Sequence, residues 1–488
     1  MQRLFLALFR TRRALALLLL LAAMSLGRLA AAPPPESGAS PPATMAGELS
    51  SALATLPPGE RLPVIVLFGV APDLPSWRNQ PRAARLEGVV RTLQGHAEAS
   101  QGSLAPLLAQ WEDQGRIQGV TSLWIINGLA LSAEHGIILA LAARPEVQRI
   151  VLDEQFAAPA LLAEPAAVSQ DEIEPNIALV NAPLLWELGY LGQGVVVANL
   201  DTGVDASHPD LAAQWRGGAH SWFDPYGQHP DAPLDLIGHG TASMGIMVGG
   251  SQGGSAIGMA PQAQWIAARI FDDRGYATTS AVHRAFQWLL DPDGDPSTPD
   301  APHVVNNSWA LGTNLCNLTF WPDIQALRAA GIAPVFAAGN AGPGMGTGLS
   351  PANNPGALAV GATDLADVIW QSSSRGPSAC GEPLSLFPEL AAPGVAIRTT
   401  DRHGAYQIAT GTSLAAPHVA GALALLLSAN PNLPLAHQEA ALLRSAHDLG
   451  PLGPDDDYGA GRLDVAAAYD WLLERPRLYL PLTGRTNR

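Results

Sequence analysis

The 488-residue sequence contains no lysine, so all 27 of its basic residues are arginine. That absence excludes the Schiff-base lysine, the Ser-Lys dyad and the phosphate-gripping lysine of P-loops. Charged residues are scarce altogether, at 14% against a usual ~25%. Two cysteines, Cys316 and Cys380, are too few for a disulfide scaffold or a four-cysteine zinc site, and their spacing does not say whether they meet. The charge that is present leans negative, with a net of −16. The first 32 residues hold five arginines and no acid, so the rest of the chain is more acidic still. An acidic body repels nucleic acid and anionic lipid, and neither is expected as a partner.

Arg3, Arg10, Arg12 and Arg13 precede an apolar run, Ala14 to Leu26, and then the small residues Ala30, Ala31 and Ala32. This is the order of a secretory signal, assigned to residues 1–32. The run is short against the ~20 residues of a membrane span; the alternative is an uncleaved anchor. The expected destination is extracellular, with no membrane attachment once the signal is removed. Residues 33–61, opening with three prolines, read as a linker.

Residues 62–156 read as a small α+β unit. Strands are expected at 62–69, 123–132 and 147–152, with helices at 83–110 and 136–143. Residues 157–175, rich in Ala, Pro and Glu without periodicity, read as a second linker. From residue 176 to 474, apolar strand-length runs alternate with helical segments. Strands are expected at 195–200, 265–271, 303–306, 334–338 and 358–362, and helices at 241–248, 280–290 and 323–330. Continuous apolar strands separated by helices imply an α/β fold, with a parallel central sheet covered by helices on both faces. In such sheets, sites gather at the carboxyl ends of strands. Residues 475–488 read as a short tail. The LPLTG at 480–484 looks like a sorting signal but lacks an apolar tail, and is taken as accidental.

Three segments set a chemically capable residue among glycines: Asp201-Thr202-Gly203, Gly238-His239-Gly240-Thr241 and Gly411-Thr412-Ser413. Each alone has a plain structural alternative, a turn cap, a helix-start histidine or an N-cap serine. Together, Asp201, His239 and Ser413 suffice for nucleophilic acyl transfer: the serine attacks, the histidine takes its proton and the aspartate fixes the imidazole tautomer. Asn340, after Phe336-Ala337-Ala338-Gly339, offers a side-chain amide to an oxyanion, with the Ser413 N–H as second donor. Its plain alternative is an Asn in a left-handed turn.

Four motifs, DTGVDASHPDL (201–211), GHGT (238–241), AAGN (337–340) and GTSLAAPHVAG (411–421), resemble the subtilisin-like serine proteases. VVNNSW (304–309), SSRGP (373–377), APGV (392–395) and YGAGRLDVAAA (458–468) extend the resemblance, which looks strongest to the bacillopeptidase F branch. It implies a secreted endopeptidase made as a self-processed zymogen. Asp201, His239 and Ser413 would be its triad, Asn340 its oxyanion donor, and residues 62–156 its inhibitory propeptide. Self-cleavage is then expected within 157–175. Ser308, Trp309 and Ala310 match the edge that pairs with substrate backbone. Trp309 would wall a pocket or simply fill the core, and the loop 342–349 should line the primary pocket. Expected partners are polypeptide substrates and the chain's own propeptide, in a monomer.

No cofactor is required for the implied chemistry, but structural calcium is possible. Asp210 matches a calcium-ligand position, although the partner loop 250–256 has Gln252 where an Asn is familiar. Asp291, Asp293 and Asp295 form a second acidic group, read mainly as a solvated loop. His418 reads as a packed helix residue. Ala242 stands where the family usually has His.

Overall fold

In the computed structural model, the structure describes residues 44–474 apart from 46, 70–71, 73, 75–79, 168, 170–171, 313–314 and 382–384. The signal assigned to residues 1–32 and the tail 475–488 lie outside the described residues. Seven strands, mostly of buried residues, form the central sheet: β8 (Val196–Asp201), β9 (Trp222–Phe223), β10 (Gln264–Arg269), β12 (Val304–Asn307), β13 (Ala333–Ala337), β14 (Leu358–Thr363) and β15 (Leu390–Pro393). Every neighbouring pair is parallel, in the order β15-β14-β13-β12-β8-β10-β9.

Helices cover both faces. On one lie α7 (His239–Val248) and α10 (Thr412–Ala429), over a core containing Met244, Met247, Val419 and Leu423. On the other lie α8 (Thr279–Leu290) and α9 (Trp321–Ala330), over Val282, Phe286, Ile324 and Leu327. Gly331 closes α9 at φ +81°, a conformation that favours glycine. The apolar run after Ser413 becomes α10. It is long and apolar enough to cross a membrane, but 89% of it is buried inside the fold, where it serves as the central core helix.

The N-terminal unit is a five-stranded sheet, order β1-β5-β2-β4-β3, formed by β1 (Thr44–Met45), β2 (Arg61–Phe68), β3 (Ile117–Leu123), β4 (Gly128–Glu134) and β5 (Val147–Leu152). It differs from the sequence reading in three places. The linker expected over 33–61 contains β1 and α1 (Gly47–Thr55), whose Leu49 and Leu53 enter the unit's core. The strand expected at 123–132 is two antiparallel strands, β3 and β4, because Asn127 adopts a left-handed turn (φ 51°) that reverses the chain. The helix expected at 83–110 is α2 (Arg82–Gln101) and α3 (Ala105–Asp113), separated by a short 3₁₀ turn.

This unit packs on α8 and α9, because Leu86, Val89, Val90, Leu93 and Ile125 share one apolar cluster with Phe286 and Ile324. Polar contacts fix the docking. Arg82 donates to the carbonyls of Ala301 (2.8 Å) and Pro302 (2.5 Å). Asp153 accepts from Ser280 N (2.8 Å) and Ser280 Oγ (2.5 Å) at the start of α8, where a carboxylate complements the helix dipole.

Candidate active site

Asp201 ends β8 and His239 starts α7, and two glycines let these elements touch. A Cβ on Gly240 would collide with the Gly203 carbonyl oxygen, and one on Gly203 with that of Leu234. The contact lets Asp201 meet the imidazole, with His239 Nδ1 2.7 Å from Oδ1 and 2.9 Å from Oδ2. Both side chains are buried. Thr202 N donates to Asp201 Oδ1 (2.7 Å), so this carboxylate is held from two sides. With Asp201 on Nδ1, Nε2 is the free position of the ring. It is buried and has no hydrogen-bond partner among the described residues.

The sequence reading missed Asp235. It caps α7: Oδ1 accepts from Gly238 N (2.7 Å) and Oδ2 from Thr241 N (2.9 Å) and Thr241 Oγ1 (2.7 Å). No residue pattern marks it, because it lies in a loop three residues before the helix. Burial pulls the His239 pKa down, but the charge and hydrogen bond of Asp201, with the charge of Asp235, outweigh it and hold the imidazole above its ordinary value.

Ser413 opens α10 at the positive end of the helix dipole. Its hydroxyl donates to the Ser308 carbonyl (3.2 Å), while Ser308 Oγ donates to the Ser413 carbonyl (2.9 Å). Asn306 continues the tie, since its Nδ2 donates to Ser308 Oγ (3.0 Å) and to Asn199 Oδ1 (2.9 Å). Asn199 Nδ2 in turn donates to the Gly240 carbonyl (3.1 Å). A buried polar chain therefore links the helices that carry histidine and serine. Asn340 Oδ1 accepts from Thr412 N (3.1 Å) and Thr412 Oγ1 (2.7 Å). That fixes the amide with its Nδ2 donors turned the other way. A methyl group on Gly411 would lie 3.5 Å from Asn340 Nδ2 and 3.7 Å from Ser413 N, so both N–H donors border one small space.

The stretch 155–165 crosses this site. Phe156 stacks on Trp309 (5.6 Å) and meets Phe271 edge-on (5.8 Å). Here β6 (Gln155–Ala157) pairs antiparallel with β11 (Tyr276–Thr278), and Ala158 N donates to the Gly275 carbonyl (2.8 Å). Farther on, β7 (Leu162–Pro165) pairs antiparallel with β17 (Tyr406–Thr410), the strand leading to Ser413. Between them Leu161 packs against Ala242, Ile246 and Leu414, so Ala242 borders an apolar contact. The linker expected over 157–175 thus contains β7 and the last residue of β6. The edge it pairs with is 276–278; pairing to Ser308–Ala310 is not seen among the described residues. Trp309 is a core side chain, 1% exposed, with one face covered by Phe156.

The loop 342–349 is tied to the SSRGP turn, with Gly346 N donating to Gly376 O (2.7 Å) and Thr347 N to Arg375 O (3.0 Å). Cys316 and Cys380 form a disulfide. His418 is packed as expected. Its Nδ1 donates to Leu414 O (2.8 Å), its Nε2 meets Asn176 Nδ2 (2.8 Å), and burial lowers its pKa to about 4. Asp291 and Asp293 gather with Asp300 rather than Asp295, bringing carboxylate oxygens within 4.8 Å of one another. Asp295 instead accepts from Ser297 (2.7 Å). Asp210 is buried against Gln252 and Tyr406.

The parallel sheet, the Asp-His pair and the serine at a helix start define the subtilisin-like class of serine endopeptidases. The chain belongs to the Subtilase family, whose pattern it matches over residues 192–461. It is 35% identical over 407 residues to bacillopeptidase F of Bacillus subtilis strain 168, covering 77% of this chain and 28% of that relative's length. It is 33% identical over 295 residues to a subtilisin of Bacillus pumilus, covering 60% of this chain and 97% of that protein. Subtilisin E of Bacillus subtilis strain 168 is 33% identical over 295 residues, covering 70% of its length.

Proposed function

We propose that this chain is a secreted serine endopeptidase, synthesised as a zymogen that cuts itself. The observation that carries the chemistry is the buried His239–Asp201 pair, with a free Nε2, in a fold whose α10, on the same face of the sheet as α7, presents Ser413 beside two N–H donors. Ser413 Oγ leaves the Ser308 carbonyl and gives its proton to His239 Nε2 as it attacks the scissile carbonyl. Asp201 steadies the imidazolium that forms. Asn340 Nδ2 and Ser413 N hold the oxyanion. The imidazolium then protonates the leaving amine, and the acyl-enzyme is released by water that gives a proton back to His239. These steps use only side chains and backbone of this chain.

The zymogen reading is supported by the 155–165 stretch. It lies across the site as an extended peptide, paired on both sides, as a substrate would be. The docked N-terminal unit is the proposed inhibitory propeptide. The disulfide and the signal-like first 32 residues agree with an extracellular destination.

Labelling with a serine-directed fluorophosphonate and casein turnover test the activity. The processed enzyme should take one label and cleave casein. Ser413→Ala should take none and lose ~10⁶ in turnover. Near-full proteolysis by Ser413→Ala would overturn the assignment, and absence of labelling in the parent would favour a binding role for the fold.

A further inference from the structure

The subtilisin resemblance implies calcium at Asp210, but the residues present do not fit the ion. Calcium takes ~6–8 oxygens with free lone pairs, usually from several carboxylates. Among the described residues two carboxylates face the loop 250–257: Glu174 is paired with Arg398, and donors stand against both oxygens of Asp210, Gln252 N on Oδ1 (2.6 Å) and Tyr406 OH on Oδ2 (2.7 Å). Burial, then the hydrogen bond and charge of Asp210, keep the Tyr406 phenol protonated well past its usual range. Four of the loop carbonyls are also engaged. Gly250 O accepts from Ile257 N (3.2 Å), Ser251 O from Gly254 N (3.1 Å) and Ala256 O from Glu174 N (3.0 Å). Gly253 O accepts from Arg398 Nη2 (3.3 Å).

We infer that the Arg398 guanidinium is a built-in cation that holds this loop in place of a metal ion. It is nearly buried, lies 4.4 Å from the Tyr406 ring centroid and uses its planar fork fully. Nη1 donates to Ser255 Oγ (2.9 Å) and pairs with Glu174 (3.5 Å), while Ser255 Oγ donates to Glu174 Oε1 (2.5 Å). Nε donates to Ala167 O (3.3 Å). One side chain thus joins the loop, the segment entering the catalytic domain at Glu174, and the strand leading to Ser413. A divalent ion added beside it would meet a like charge at short range, with Glu174 already paired to that charge and Asp210 already facing two donors.

The test is amide hydrogen exchange, followed in peptides spanning 249–258 of the full chain carrying Ser413→Ala to stop self-digestion. Exchange there should agree within about twofold between millimolar CaCl₂ and EGTA. Arg398→Gln should speed it by about tenfold or more, and calcium should not restore it. Arg398→Lys, which keeps the charge but loses the fork, should fall between the two, and it serves as the readout if the Gln variant does not fold. A tenfold calcium-dependent slowing at 249–258 in the parent would overturn the inference. So would an Arg398 variant that exchanges like the parent.

Discussion

At the residue scale the site is defined by what surrounds each reactive atom. His239 must be neutral to accept the serine proton, and an unperturbed imidazole titrates near ~6.5. Because Asp201 and Asp235 hold its pKa above that value against the effect of burial, the acidic limb of kcat/KM should lie above the free-histidine position. Raised means more proton-binding, so activity is lost earlier as pH falls. Asp235→Asn removes one of the two charges, and its limb should move to lower pH; an unmoved limb would show that Asp235 acts only as a helix cap. Gly411 gives a second prediction. Its φ of 159° lies where an L side chain is strained, so alanine there also costs some stability. The added methyl would crowd the space between Asn340 Nδ2 and Ser413 N. Gly411→Ala should therefore lower kcat by ~10²–10³, the loss typical of one oxyanion donor, with KM little changed. Asn340→Ala should fall in the same range, and full activity in either variant would place the oxyanion elsewhere.

At the element scale, readability follows from where the information lies. The strands β8, β10, β12, β13 and β14 were legible because burial on both faces requires unbroken apolar runs. The contact of Asp201 with His239 was legible because the glycines beside them are demanded by close contacts such as Gly240 against Gly203. β6 and β7 were not, since they exist by pairing with β11 and β17. All four residues of β7 are exposed, so no alternation marks it. Nor was Arg398, whose partners at 167, 174, 253 and 255 are distant in sequence. The disulfide was equally illegible from spacing, yet it has a measurable consequence. It joins loops 64 residues apart. Chain-entropy reasoning for a loop of that size gives about 4 kcal/mol, an upper figure because engineered and native bridges often deliver less. Replacing both cysteines by alanine should lower the urea midpoint and, because the uncrosslinked unfolded chain is less compact, raise the m-value. An unshifted midpoint would mean that the loops carrying Cys316 and Cys380 are already fixed without the bond.

At the scale of the whole molecule, the proposed zymogen makes one chain both the protease and the occupant of its cleft. The docked N-terminal unit shares an apolar cluster with α8 and α9 and is pinned by Arg82 and Asp153. Parallel sheets assemble from non-local contacts and form slowly, so on the zymogen reading a unit resting on two of their covering helices would serve as a folding template. From that anchor the chain enters the cleft at Gln155 and leaves it at Pro165, paired on both flanks. Only 158–161 lie between the two pairings, and Leu161 packs against the apolar cluster that contains Leu414, the neighbour of Ser413. Self-cleavage is therefore expected within 158–162, a narrower window than the 157–175 suggested by composition. The catalytic fragment should begin between Pro159 and Leu162. The released N-terminal fragment should stay bound, because its apolar and polar contacts to α8 and α9 do not depend on the cut bond. Ser413→Ala should persist uncut at this position. N-terminal sequencing of the fragment, together with size-exclusion chromatography of the cleaved mixture, reads both outcomes. A catalytic fragment starting beyond Pro165 would mean that the paired stretch is not the scissile one, and immediate separation of the two fragments would show that the cut peptide, rather than the helix contacts, holds them together.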